Sequence, residues 1–434
     1  MKPLDWNLSL SRRQWLGGAA LLGAGTALPA FAWEAGAWPN VAALIDSYVD
    51  ARKVANMVVA LGFGDAEPTV IAAGVDTFGK PRPSAADSIY RVYSMTKPVT
   101  GMAAMMLIDE GKLGLDQPLH EILPKYRNMQ VQKVYDGPIT ADNLEPAVRP
   151  ITIRQMLTHT AGIGYGIVQQ GPIADAFRDR GIVPGMVTRL QNVPSFRGTP
   201  VPSLELFADR LAEMPLVYQP GTRWNYSMSL DLMGRVIEVV SGQKFDRFLQ
   251  ERFFDPLGMS DTGFQVARDK ADRLTTNYLV NDGMLLPIDP GQTSIYLDEP
   301  PFPFGGAGLA STPRDYDRFL AMLVGNGTFA GKRVMSEAAV RMGTSNLLPD
   351  TLEPDGAYEG GRYGYGAGGR VGTEGPLSGV YGWAGAAGTI GFVERNSGLR
   401  AGLFTQYMPM VTYPLVEEFQ AAVLKDLIAR GGAS

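Results

Sequence analysis

A chain of 434 residues, 45% hydrophobic and 19% charged, is long enough for two globular units or for one large body carrying an insertion. A formal net charge of -5 without any Lys/Arg-rich run gives no footing for a nucleic acid, and the absence of cysteine removes disulfides, thiolate metal sites and cysteine nucleophiles together. Two histidines, His120 and His159, are too few for a His-built metal site, so no metal or other cofactor is expected.

The first residues read as an address. Ser11-Arg12-Arg13-Gln14-Trp15-Leu16 sets an arginine pair directly before the apolar run LGGAALLGAGTALPAFA, and Ala30-Phe31-Ala32 offers a small-x-small cleavage site. Residues 1–32 therefore resemble a twin-arginine signal peptide, with the mature chain starting near Trp33 in the periplasm or outside the cell. The run is about 17 residues long and diluted by Gly and Pro29, which is short for a bilayer roughly 30 Å thick. No membrane attachment is expected after cleavage.

Beyond the leader, PNVAALIDSYVDARKV, at about residues 38–53, has the apolar stripe of an amphipathic helix. NMVVALGF and PTVIAAGVDT follow as β-rich runs separated by Gly64-Asp65-Ala66-Glu67, a hairpin signal. A helix-like run extends from Ser94 to about Glu110 and is stopped by Gly111. From 112 to 300, short helical patterns such as TIRQMLTHTAGIGYG and SLELFADRLAEM alternate with Pro- and Gly-rich loops, and the long stretch 160–203 is expected to cover the site as a loop. STPRDYDRFLAMLVGNG and SEAAVRMG return to helix. GVYGWAGAAGTIGFVERNSGLRAGLFTQYM then alternates as strands around Asn396-Ser397-Gly398, and a last amphipathic helix runs from about Tyr413 to Ala429. The expected fold is α+β: an antiparallel sheet flanked by N- and C-terminal helices, built from residues 33–111 and 301–434, with a mainly helical domain inserted over 112–300.

Within YSMTKPVTG, Ser94 and Lys97 stand at i and i+3, which on a helix share a face with Cβ atoms roughly 5–6 Å apart. The pair is either an N-capping serine beside a solvated lysine or a nucleophile beside its base. The rest of that run, VTGMAAMMLI, is apolar and therefore buried, and Ser94 stands where the helix dipole favours developing negative charge. A lysine at the mouth of a buried helix needs a reason to be there.

Together with GKLGLDQPL, LTHTAGIG, PGTRWNYS, DPLGMSDTGF and GGAGLAST, this motif makes residues 38–430 resemble the serine β-lactamase and penicillin-recognising superfamily, in which S-x-x-K, a Tyr- or Ser-led triplet and a K-T-G-like strand motif form the site. Within it the chain looks closest to the class C β-lactamase-like family VIII carboxylesterases, which implies a β-lactamase/transpeptidase-like fold. The resemblance implies Tyr226, in WNYSMSLD, as the catalytic tyrosine, and puts Trp383-Ala384-Gly385 at the K-T-G place, similar to the W-G-G of the esterases. It implies an oxyanion held by the backbone N–H groups of Ser94 and Ala386.

Two departures from the lactamase pattern are informative. No K-T-G or H-T-G occurs, so the strand motif opens on Trp383 without a cation for a substrate carboxylate, and Tyr226-Ser227-Met228 ends in Met rather than Asn. Both favour an uncharged small-molecule ester over a β-lactam or peptide. The expected activity is ester hydrolysis through an acyl-enzyme on Ser94, with Lys97 and Tyr226 able to share a proton as the base pair. The alternatives are an acyltransferase, an amidase or hydrolase of β-lactams or D-amino-acid peptides on the same residues, and a non-catalytic penicillin-binding-like protein. G-x-S-x-G is absent, which disfavours an α/β-hydrolase; His159 reads as a structural residue in a Gly-rich turn and His120 as a surface one.

Overall fold

The computed structural model describes residues 35–190 and 198–431, so the signal peptide expected over residues 1–32 lies outside the described residues. Pro39 opens helix α1 (Pro39–Asp50) with a φ already suited to a helix, and Val41, Ile45 and Tyr48 form its buried face. Strands β1 (Asn56–Phe63) and β2 (Thr69–Gly74) pair antiparallel, Val59 opposite Ile71, as the hairpin signal requires. Helix α2 (Thr96–Asp109) is preceded by one 3-10 turn, Tyr93–Met95, so Ser94 belongs to that turn and not to the α-helix it was expected to begin. The cause lies in the backbone: Tyr93 has a φ of 42°, a left-handed value that redirects the chain into the helix at a steric cost for a residue with a Cβ.

Helix α3 (Gly171–Asp179) interrupts the stretch expected to be a covering loop. Ile163, Tyr165, Ile173, Phe177 and Ile182 are all buried in the main core, so this part of the stretch is body rather than cover. Helix α4 (Ser229–Ser241) follows. The hairpin β3 (Asn277–Asn281) and β4 (Met284–Asp289) then adds strand structure to a region expected to be mainly helical. The further elements that build the sheet and its flanks are α5 (Pro313–Val324), α6 (Glu337–Gly343), β5 (Gly364–Tyr365), β6 (Arg370–Val371), β7 (Val380–Gly385), β8 (Thr389–Glu394), β9 (Leu399–Phe404), β10 (Tyr407–Met408) and α7 (Leu415–Gly431). Strand β10 pairs parallel with β3, which ties the hairpin to the C-terminal part of the chain.

Seven strands form one antiparallel sheet in the order β5-β6-β7-β8-β9-β1-β2. Alternation along the strands sorts its two faces. Met57, Val59, Leu61, Ile390 and Leu403 pack under α1 and α7, whereas Val58, Val393 and Phe404 join α2 and α5 in the main core. The two ends of the chain are joined by a cap: Asp426 of α7 accepts from the backbone N–H groups of Asn40 and Val41 at 3.0 and 3.1 Å. The expected α+β arrangement, an antiparallel sheet flanked by the terminal helices, is the one observed.

Helix α2 lies on the inner face of the sheet and is buried from Thr96 through Leu107. Glycines set how closely its neighbours approach. A Cβ on Gly101 would stand 2.1 Å from the Ala367 carbonyl oxygen, and one on Gly368 would stand 2.3 Å from that of Lys97. Neither contact has a flexible side chain that could yield. Gly101→Ala is expected to destabilise the protein by about 1–3 kcal/mol, read as a lower urea midpoint; an unchanged midpoint would show this contact to be slack.

Candidate active site

Three elements converge on the Ser94 hydroxyl. Lys97 Nζ, one turn into α2, lies 3.2 Å from Ser94 Oγ, and the Tyr226 hydroxyl, just before α4, lies 2.7 Å from it. Trp383 of β7 donates its indole N–H to the Tyr226 oxygen at 3.3 Å. Ser94, Lys97, Tyr226 and Trp383 thus form one hydrogen-bonded chain, although they span nearly three hundred positions of sequence. Ala384, next along β7, faces the other way and packs under the terminal helices. Gly385 ends the strand against the Tyr93–Met95 turn, where a Cβ would meet the Val92 carbonyl oxygen at 2.4 Å, and Ala386 packs beside Tyr93.

Lys97 is fully buried. Its ammonium donates to the carbonyl oxygen of Gly306 at 2.7 Å and lies 4.6 and 5.5 Å from the ring centroids of Tyr226 and Tyr165. The Gly305-Gly306 segment is itself clamped between helices. Thr100 of α2 donates to the Gly305 carbonyl at 2.6 Å, and Asp231 of α4 accepts the Gly306 N–H at 2.8 Å. A Cβ on Gly306 would stand 2.4 Å from Asp231 Oδ2, so only glycine fits between the carboxylate and the lysine.

Asp231 is the residue that sequence reasoning missed. It is fully buried in the first turn of α4, where the helix dipole favours an anion, and its Oδ2 accepts no hydrogen bond among the described residues. Burial pushes its pKa up to about 6, against the opposing pull of the Lys97 charge and the Gly306 N–H. The available signal was an acid standing between Leu230 and Leu232 in an otherwise apolar stretch.

His159 takes no part in the hydrogen bonding at Ser94. Its Nδ1 accepts the Ser227 N–H at 3.2 Å and lies 2.8 Å from Ser227 Oγ, while its ring sits 4.9 Å from that of Tyr226. Burial first, and the Lys97 charge second, hold its pKa well below the usual imidazole value. A neutral ring of this kind orients the tyrosine segment, the structural role expected for it. His120 is half-buried in the 3-10 turn Leu119–Glu121.

A serine flanked by a buried lysine and a tyrosine, beside an antiparallel sheet packed under the two terminal helices, places the molecule in the class of β-lactamase-like folds. The chain belongs to the Beta-lactamase family, whose model matches residues 41–424. It is 30% identical over 348 residues to Esterase EstB of Burkholderia gladioli, covering 75% of this chain and 79% of that protein. An uncharacterized protein of Mycobacterium tuberculosis is 38% identical over 268 residues; the match covers 62% of this chain and 62% of the relative's length. Among solved structures, EstCE1, a hydrolase with promiscuous acyltransferase activity, superposes with a TM-score of 0.70 at 23% identity, covering 89% of this chain and 98% of that one.

Asp231 makes a prediction with a definite sign. Its folded-state pKa stands above the unfolded value of 3.8, so its contribution to stability is full below about pH 4 and is lost as the pH rises through about 6. The difference amounts to about 3 kcal/mol. Asp231→Asn keeps the shape and removes the titration. The stability of the variant relative to the parent is therefore expected to rise between pH 4 and pH 7 in paired urea titrations. Activity should move the opposite way: the parent loses kcat/KM as the pH falls through about 6, and the variant is flat there at a rate about tenfold lower, having lost one charge-assisted hydrogen bond. A parallel pH dependence of parent and variant would exclude Asp231 from both effects.

Proposed function

We propose that this protein hydrolyses carboxylic esters of small molecules through an acyl-enzyme on Ser94, with Lys97 and Tyr226 as the base pair. One observation carries the reading: Ser94 Oγ has the Tyr226 oxygen at 2.7 Å and Lys97 Nζ at 3.2 Å, both within reach for proton transfer. In acylation the Oγ proton passes to this pair as Oγ adds to the ester carbonyl carbon. The resulting oxyanion is received by the backbone N–H groups of Ser94 and Ala386, at the facing ends of the nucleophile turn and β7. Collapse breaks the bond to the alkoxide, which leaves with the proton from Tyr226; a water molecule then repeats the sequence in reverse and frees the acid.

Three points support an ester over a β-lactam: an indole stands where the strand motif would open on a cation, Met228 replaces the triplet asparagine, and EstB, which shares 30% identity, is named an esterase. We also propose that residues 1–32 direct export to the periplasm, on the strength of Arg12-Arg13, the apolar run and Ala30-Phe31-Ala32.

The test is turnover of a p-nitrophenyl ester series and of a chromogenic cephalosporin by the purified mature chain. Short esters are expected to turn over and the cephalosporin scarcely at all. Ser94→Ala should lose at least about 10³-fold in kcat and Tyr226→Phe about 10²–10⁴-fold. Preferential cephalosporin turnover, or ester hydrolysis surviving in Ser94→Ala, would refute the assignment.

A further inference from the structure

A cleft of about 410 Å³ opens at Tyr226 and Trp383, wraps over β7 and ends against the start of α7. Trp224, Tyr358 and Tyr413 give it aromatic walls, and Arg370 of β6 stands among them as the cleft's cationic side chain. Strand β6 begins at Arg370 and pairs with β7 antiparallel, Arg370 opposite Gly382 and Val371 opposite Tyr381. This leaves Trp383–Gly385 without a partner strand on that side among the described residues, and sets Arg370 beside the open edge.

The half-buried guanidinium lies 4.5 Å from the centroid of the Tyr363 ring and makes no hydrogen bond or ion pair among the described residues; its Nη1 is buried outright. Two carboxylates, Glu359 and Glu417, line the same cleft, and neither comes within ion-pair distance of it. Burial, against the pull of Arg370, holds the Glu359 carboxyl above its usual range and so nearer its neutral form. A guanidinium removed from water without an acceptor is costly, and a carboxylate matches its planar fork with two parallel hydrogen bonds.

We propose that this cleft receives the alcohol portion of an ester that carries a carboxylate, with the carboxylate on Arg370 and the apolar body against Trp383 and Tyr358. The inference rests on the mechanism proposed above. Tyr226 lines the cleft and returns the proton to the departing alkoxide, so the leaving group lies on its side of the acyl carbon. On this proposal the charge that the strand motif itself lacks comes from the neighbouring strand.

The experiment compares 4-acetoxybenzoate with neutral 4-acetoxybenzamide, which share the acetyl group and differ at the far end of the phenol. The benzoate is expected to show a KM about tenfold lower, an advantage that shrinks with added salt. Arg370→Gln, with its thermal midpoint measured to confirm folding, should raise the benzoate KM to that of the benzamide, while Glu359→Gln should widen the gap. Equal KM values in the parent, or an advantage that survives Arg370→Gln, overturn the proposal while leaving the ester mechanism standing. Hydrolysis of either acetate by Ser94→Ala would bring down the mechanism and this inference with it.

Discussion

The site is organised around the burial of one amine. Lys97 is sealed from solvent inside an apolar helix, and an amine in that position must find inside the protein what water would otherwise give it. The surroundings meet the demand by unlike means: a backbone carbonyl at 2.7 Å, a serine hydroxyl at 3.2 Å, two aromatic faces, and the field of a carboxylate one peptide group away. Each comes from a different part of the chain. The placement of α2, α4, β7 and the Gly305-Gly306 segment is therefore coupled, because moving any one of them strands a buried charge.

Glycine makes this coupling geometrically possible. Gly306 admits Asp231 to within reach of the peptide that Lys97 grips, Gly385 lets β7 end on the Tyr93–Met95 turn, and Gly101 and Gly368 let the loop before β6 lie against α2. Where a side chain is required, the backbone carries the strain, as at Tyr93 with its φ of 42° immediately before Ser94. Asp231 pays in stability for a role beside Lys97, a trade of a kind common at sites where charge must be held out of water.

Much of this was legible in the sequence, and what was legible had local causes. The i, i+3 spacing of Ser94 and Lys97, the apolar run behind them and the alternating strands near the C-terminus all express periodicities that a short window contains. Tyr226 and Trp383 were placed by their motifs. The start of α2 was misread by two residues because the left-handed turn at Tyr93 is imposed by tertiary contacts, a tyrosine having no local preference for it. Asp231 was passed over because an acid in the first turn of a helix is ordinary, and its partner, Gly306, lies 75 positions away. Residues 160–203 read as a cover from their length and recurrent Gly and Pro, yet Ile173 and Phe177 bury a helical face that so short a pattern signals weakly.

The turn from Gly366 to Gly369 ties the lysine helix and the edge of the cleft to one segment. It is pinned by the Gly366 N–H on the Gly369 carbonyl at 2.8 Å, by the Ala367 N–H on Gly343 at 2.8 Å, by the Tyr381 hydroxyl on Ala367 at 2.7 Å and by the Gly368 N–H on Leu157 at 3.0 Å. Its glycines lie against α2 at the level of Lys97 and Gly101. A turn held there keeps the chain before Arg370 from pairing with β7, so β6 begins at Arg370 and the edge of β7 beyond Gly382 stays open. The contact that helps to fix the lysine helix thus also sets where β6 begins, and it stations Arg370 at the open edge. A β6 extended before Arg370 would cover Trp383–Gly385 with a ladder of hydrogen bonds and close that edge altogether.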